Sequence, residues 1–188
     1  MTTALILIDL QNDYFPGGTM ELYQAELAVA QAASVLNTFR SRLLPVFHVQ
    51  HIATEIDATF FLAGTSGAQI HPQVQPMAGE GIVVKNYPNS FRETQLLADL
   101  RAIGASHLVF VGMMTHMCVD STVRAACDLG FQCTLLHDAC ATTELAFSGE
   151  AVDAKSVQVS FLSALNDGFA KVQSTREWID SAASQVKQ

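Results

Sequence analysis

Three side chains of complementary chemistry stand just beyond short apolar runs. Asp9 follows Ala4-Leu5-Ile6-Leu7-Ile8, Lys85 ends Gly81-Ile82-Val83-Val84-Lys85, and Cys118 comes shortly after His107-Leu108-Val109-Phe110-Val111-Gly112. An acid can move a proton, a thiol can attack an electrophilic carbon, and an ammonium can balance the charge on both. Taken singly, each also reads as an ordinary strand end or a core thiol, so they matter only if one edge of one sheet gathers them. Cys118 has an argument of its own. Along Gly112-Met113-Met114-Thr115-His116-Met117-Cys118-Val119 the chain passes from strand to helix, with Thr115 as candidate N-cap. A thiol in a first helical turn lies near unpaired N–H groups and the positive end of the helix dipole, which favours thiolate, and a nearby Lys85 adds to that. Cys127 falls about half a rotation out of phase on the same helix. Cys133 lies within a strand pattern and Cys140 follows the next turn, so these three read as small core hydrophobes.

The elements that must position these groups alternate along the chain. Ala4–Ile8 is apolar on both faces, as a buried parallel strand is. From Ala25 to Leu43, Val29, Ala32, Ala33, Leu36, Phe39 and Leu43 follow the helical repeat. Further strands are predicted over Pro45–Val49, Gly81–Lys85, His107–Gly112, Phe131–Leu136 and, briefly, Ala170–Val172. Further helices are predicted over Thr94–Ile103, Val119–Leu129, Val152–Leu165 and from Arg176 onward, with Gly104 and Gly130 as stops. Strands separated by helices pair in parallel through right-handed crossovers. The expected fold is therefore α/β: a three-layer α/β/α sandwich with an open, mostly parallel sheet, one domain over residues 1–188. In such a sheet the carboxyl ends of the strands share an edge, and ligands bind in the crevice there. That edge would receive Asp9, Lys85 and Cys118. The long irregular stretch from Ile52 to Glu80 reads as a functional or subunit-contacting loop.

Composition removes several alternatives. The 188 residues suffice for one domain, and 49% hydrophobic against 15% charged residues excludes a disordered chain. Ten Lys and Arg against eighteen Asp and Glu give a formal charge of -8. A surface of that sign repels phosphate backbones and anionic lipid, so neither nucleic acid nor membrane is an expected partner. No apolar run approaches the roughly twenty residues of a membrane span. The apolar stretch from Ala4 lacks a basic lead and does not read as a signal peptide. Four Cys do not make a disulfide scaffold in a chain of this length, so reduced thiols and a cytoplasmic location are expected. No Gly-rich phosphate loop follows the first strand, which disfavours a nucleotide-binding module.

Asp9 within Leu7-Ile8-Asp9-Leu10-Gln11-Asn12-Asp13, Lys85 before Pro88-Asn89-Ser90-Phe91, and Cys118 in its strand-to-helix passage together resemble the isochorismatase-like cysteine hydrolases. That superfamily includes nicotinamidases, carbamoylsarcosine and ureidoacrylate amidohydrolases, and isochorismatases. Arg124-Ala125-Ala126, Gly130 and Asp138-Ala139 continue the likeness, which spans Ala4 to Leu165. The resemblance implies a hydrolase of a small amide, ureide or carbamoyl compound working through a thioester. Asp9 would be the general base, Cys118 the nucleophile, and Lys85 the group that orients and balances both. Backbone N–H groups of Met114 and Cys118 would hold the oxyanion, and the Met113–Met114 peptide would be cis. The Cys and desolvation would raise the Asp pKa while Lys85 lowers it, implying a bell-shaped pH profile. A homo-oligomer and a small-molecule substrate are implied as well.

Departures from the family pattern are informative. Nicotinamidases of the superfamily carry an Asp-x-His with a later His as a metal site. Here the corresponding stretch is His48-Val49-Gln50-His51, with no acid, and residues three apart on a strand face opposite sides. Neither a metal at His48, His51 or His71 nor any other cofactor is expected. His116 is a candidate for pocket lining or capping, whereas His107 and His137 read as structural. Candidate substrate contacts are Phe15 in the loop that Asp9 begins, Phe61 in the aromatic, Gly-rich loop, Phe91 after Lys85, and Thr115 and Met117 beside the thiol. Two other readings stand beside the amidase. One is an isochorismatase-type vinyl ether hydrolase using the Asp as acid, against which Cys118 counts because such members often lack the Cys. The other is a non-catalytic binding or assembly member of the fold.

Overall fold

A strand with apolar side chains on both faces requires cover on both faces, and here each face has its own helical layer. The computed structural model describes residues 2–185. Along the chain, β1 (Thr2–Ile8) leads through α1 (Ala25–Ser41) to β2 (Val46–His51), and a long loop leads to β3 (Gly81–Lys85). Next come α2 (Leu96–Ala102), β4 (Ala105–Met113), α3 (Asp120–Asp128) and β5 (Gln132–Ala141). A hairpin of β6 (Leu145–Phe147) and β7 (Glu150–Val152) precedes α4 (Ala154–Gly168), β8 (Lys171–Gln173) and α5 (Thr175–Gln185). Among the described residues, six strands pair in parallel in the order β3-β2-β1-β4-β5-β8, while β6 and β7 form a separate antiparallel pair. Among the same residues, no helix is long and apolar enough to cross a membrane.

The period-two alternation of the strands divides the core. Leu5, Leu7, Val109 and Val111 pack with Val29, Leu36 and Phe39 of α1 and Trp178 of α5. Ala4, Ile6, Ile8, Leu108 and Phe110 pack instead with Leu96 and Leu100 of α2, Val123 and Ala126 of α3, and Leu165 of α4. Each of the larger side chains contributes about 1.5–3 kcal/mol by leaving water, and the Phe39 and Trp178 rings stack at 5.1 Å.

Several element boundaries shift by a few residues from expectation, and three of the shifts have a plain local reason. At α2, Thr94 Oγ1 donates to the Ser90 carbonyl at 2.6 Å and holds a turn outside the helix, so α2 starts at Leu96 rather than Thr94. At α4, the Asp153 carboxylate accepts from Ser156 N–H at 3.0 Å as a cap, so Val152 joins the hairpin opposite Leu145. β5 runs on past Leu136 to Ala141 through a register shift against β4.

Strand order reverses between β1 and β4, since β1 leads outward to β2 and β3 while β4 leads to β5 and β8. At this switch point Ile8 lies opposite Gly112. Gly112 has a φ of 139°, and a Cβ there would collide with the Ile8 carbonyl oxygen. Only glycine allows the two strands to end this close together.

Candidate active site

Loops leaving the two central strands carry the acid and the thiol. Asp9 departs β1 with a φ of 51°, in the left-handed region that Asp tolerates better than most residues. Its N–H donates to the Val49 carbonyl at 3.0 Å and its own carbonyl accepts from Gln11 N–H at 2.9 Å. Lys85 is the last residue of β3 and lies in register with His51 at the end of β2. Both Asp9 and Lys85 are buried, at 0% and 1% exposure. The Lys85 ammonium lies 2.7 Å from Asp9 Oδ2, 2.8 Å from His51 Nδ1 and 3.2 Å from Cys118 Sγ. Its three N–H donors therefore meet three acceptors. Asp9 Oδ1 is buried without a hydrogen-bond partner.

Charge states follow from these neighbours. Burial pulls the Lys85 pKa down, but the negative charge of Asp9 and the pairing with Cys118 outweigh it and raise the pKa, so the ammonium stays charged. Burial, followed by the Lys85 charge, lowers the His51 pKa and keeps the imidazole neutral. An ammonium bond to Nδ1 needs a lone pair there, which leaves the proton on Nε2. For Cys118, burial and then the Asp9 charge push the thiol up, and Lys85 opposes both without prevailing. This runs against the expectation of a thiolate stabilised by a helix terminus, because burial and the Asp9 charge both favour the protonated sulfur. The turn that carries it, Thr115–Val119, is π-helical and precedes α3, which starts at Asp120. Met114 rather than Thr115 bounds that turn, without a side-chain cap, and Thr115 Oγ1 donates to the Ala141 carbonyl at 3.2 Å. The Met113–Met114 peptide is cis.

Donor atoms of Asp9, His51 and Cys118 all lie within 4.8 Å of one another, a grouping that resembles a metal site. The ammonium lies within bonding distance of all three, so the cation these donors hold is Lys85. His48 turns elsewhere and meets Glu80 at 2.8 Å. His71 caps a short 3-10 turn, its Nδ1 accepting from Gln73 N–H at 3.3 Å.

A cavity of about 380 Å³ opens above the thiol, walled chiefly by Tyr14, His51, Phe60, Phe61, Tyr87, Met114, Met117 and Cys118. Of the side chains proposed for substrate contact, Phe61 and Met117 line it, and Phe15, Phe91 and Thr115 do not. Phe15 packs on His71 at 4.1 Å and faces a neighbouring groove. It follows a 3-10 turn, Asn12–Tyr14, where successive residues diverge by about a third of a rotation, and the turn places Tyr14 in the cavity instead. Phe91 lies against the second core cluster, stacked on Phe131 at 6.4 Å. Thr115 is fully buried. His116 bonds Thr142 Oγ1 at 2.6 Å, and His107 bonds Thr134 Oγ1 at 2.9 Å. Burial pushes the Cys133 and Cys140 thiols up to about 12.

Sequence reasoning missed His51, Tyr14, Tyr87 and Asp13. For His51 a signal existed, because it ends a strand at the same edge as Lys85. Gln11 holds it in place: the side-chain amide accepts from His51 N–H at 2.7 Å and donates to its carbonyl at 2.8 Å. Asp13 fastens the long loop, with Oδ2 accepting from Phe61 N–H at 2.7 Å and Oδ1 from Thr19 Oγ1 at 2.9 Å. A Cβ at Gly67 would overlap that carboxylate, so this residue must be glycine for the loop to close. Tyr14 and Phe61 then meet edge to face at 4.6 Å, a contact between distant segments that no spacing reveals.

An open parallel α/β sheet gathers a buried acid, ammonium and thiol at its switch point. The isochorismatase domain model matches residues 3–177, and the chain belongs to the isochorismatase family of hydrolases. The isochorismatase family protein YddQ of Bacillus subtilis is 46% identical over 95% of this chain and 99% of its own length. The crystal structure of an isochorismatase hydrolase from Oleispira antarctica superposes with a TM-score of 0.92 at 48% identity, covering 95% of this chain and 96% of its own. Ureidoacrylate amidohydrolase RutB of Caulobacter segnis is 29% identical, covering 73% of this chain and 72% of its own.

Proposed function

We propose that the protein is a cysteine-dependent amidohydrolase acting on a small amide, ureide or carbamoyl compound, with Cys118 as nucleophile, Asp9 as proton carrier and Lys85 as the charge that orients both. The observation that carries this reading is the ammonium shared by the carboxylate and the thiol at the floor of a cavity. The amidohydrolase named among the relatives supports it.

The chemistry starts from a thiol, because burial and Asp9 hold the proton on sulfur. As Sγ attacks the carbonyl carbon, Asp9 takes that proton and the C=O electron pair moves onto oxygen. Met114 and Cys118 both line the cavity, and their backbone N–H groups would hold that oxyanion. Collapse re-forms C=O and breaks C–N, while protonated Asp9 gives its proton to the departing nitrogen. Water, deprotonated by Asp9, then attacks the thioester, and the sulfur leaves and recovers the proton. Lys85 keeps the pair neutral overall when the negative charge lies on oxygen or on sulfur. Homo-oligomerisation is part of the same reading; the exposed Ile82 and Val84 on the edge strand β3 support it, and light scattering in solution tests it.

Acid quenching during turnover of a panel of small amides, followed by peptide mass spectrometry, tests the covalent step. The expected result is the acyl mass on the Cys118 peptide and none in Cys118→Ala. Unimpaired amide turnover by Cys118→Ala would sink the thioester.

A further inference from the structure

The walls above Cys118 are unequal in charge. Tyr14, Phe60, Phe61 and Tyr87 present aromatic surface, and the carboxylates of the lining are Glu55 and Asp57, both exposed on the loop that follows β2. Among the described residues no Arg or Lys lines the cavity. Lys85 lies beneath it, 1% exposed, with its three donors already shared among Asp9, His51 and Cys118. Arg92 is engaged outside the lining, its guanidinium 3.5 Å from the centre of the Tyr87 ring and 3.6 Å from Glu93. The imidazole in the wall is His51, neutral and able to offer Nε2–H.

A carboxylate entering this space loses water, meets two negative side chains at the rim and finds no cation to replace its hydration. A neutral amide suffers none of this. A cation is also accommodated, since aromatic faces attract it and the acidic rim draws it in; Arg92 on Tyr87 shows such a ring already holding one. We propose that the cavity selects uncharged or cationic amides bearing a flat or apolar substituent and rejects substrates that carry a carboxylate. The proposal rests on the reading of Cys118 as the nucleophile that the substrate must reach.

Alkylation of Cys118 in the intact protein by iodoacetamide and by iodoacetate tests this without turnover. The rate ratio, read from the mass of the Cys118 peptide, is normalised to the same ratio for 2-mercaptoethanol. Iodoacetate is expected to be disfavoured by about tenfold relative to the free thiol, and the discrimination to shrink at high salt, as for charges near a surface. Glu55→Gln with Asp57→Asn is expected to reduce it about two- to fivefold by the same Coulomb argument. Equal or faster relative reaction of iodoacetate overturns the proposal. In parallel, kcat/KM is measured for benzamide, 4-(aminomethyl)benzamide and 4-carboxybenzamide. Preference for the carboxylate compound, with Cys118→Ala inactive, overturns charge selection and leaves the cysteine mechanism standing. Discrimination against iodoacetate with no hydrolysis of any of the three supports charge selection and counts against the amidase reading.

Discussion

The groove between α1 and α4 holds nearly the same residue types as the crevice at the switch point. It measures about 480 Å³ and is lined by His137, Asp138, Cys140 and Lys155, among apolar neighbours. There, however, the side chains serve other purposes. Asp138 accepts from both the N–H and the hydroxyl of Thr175 at 2.8 Å and fastens the start of α5. Gln158 Nε2 donates to the His137 and Cys140 carbonyls at 3.3 and 3.2 Å. Burial holds the Cys140 thiol up at about 12, relieved only in part by the Gly112 N–H. Lys155 is exposed. In the crevice, by contrast, one ammonium is shared by an acid, an imidazole and a thiol. Residue types in a cavity do not by themselves set one crevice apart from another; convergence on a common charge does.

Exchanging the two cysteines is the sharpest way to break this contrast. Cys118→Ala is expected to lower kcat by about a thousandfold or more, as loss of a nucleophile does, in the steady-state assay that finds the substrate. The two lysines separate next. Lys85→Met leaves the Asp9 carboxylate buried without its cation and is expected to cost about 3–5 kcal/mol in urea unfolding. Lys155→Met should stay within about 0.5 kcal/mol, as exposed substitutions do. Equal costs would show that the ammonium is not the organising charge. Gly112→Ala tests the close approach of strands beneath the crevice; strain and overlap with Ile8 predict a loss of about 2–4 kcal/mol.

A pH titration of stability adds a smaller effect. Burial lowers the imidazole pKa of His48, His51 and His107 from 6.5. Below pH 6.5 the unfolded chain takes up protons that the folded chain refuses, so stability falls with pH until the lowered folded values are passed. His107, whose shift comes from burial alone, supplies the control: urea unfolding of His107→Gln should show a shallower slope over that window. An unchanged slope would remove His107 from the account. Least of all, Cys140→Ala should change kcat less than about threefold and cost about 1 kcal/mol, the loss of one small buried group.

Much of the crevice was legible because strand direction is a property of the chain. Asp9, Lys85 and Cys118 each follow a strand, and parallel strands end on one edge. The same rule points to His51, although its spacing to His48 reads only as a poorly placed metal pair. Phe15 is the expected pocket residue because Asp9 fixes where its loop lies, but a loop offers no periodicity, and a single 3-10 turn puts Tyr14 in the cavity instead. Thr94 and Asp153 moved helix starts through side-chain bonds that a hydrophobic pattern does not register. The charge of Cys118 departs from expectation for a different reason. The helix-terminus argument is local, whereas burial and the Asp9 charge reach the sulfur from another part of the chain.

By itself, the sequence determined the alternation of strands and helices, the apolar character of both strand faces and the edge at which Asp9, Lys85 and Cys118 emerge. These depend on periodicity and chain direction, which are written residue by residue. Only the tertiary structure decided that His51 lies opposite Lys85, that Ile8 and Gly112 end side by side, and that Asp13 draws Phe61 over the thiol. Coulomb and desolvation energies change steeply over a few ångströms. The protonation of Cys118 and the sharing of the Lys85 ammonium therefore waited on separations set by packing between segments far apart in the chain.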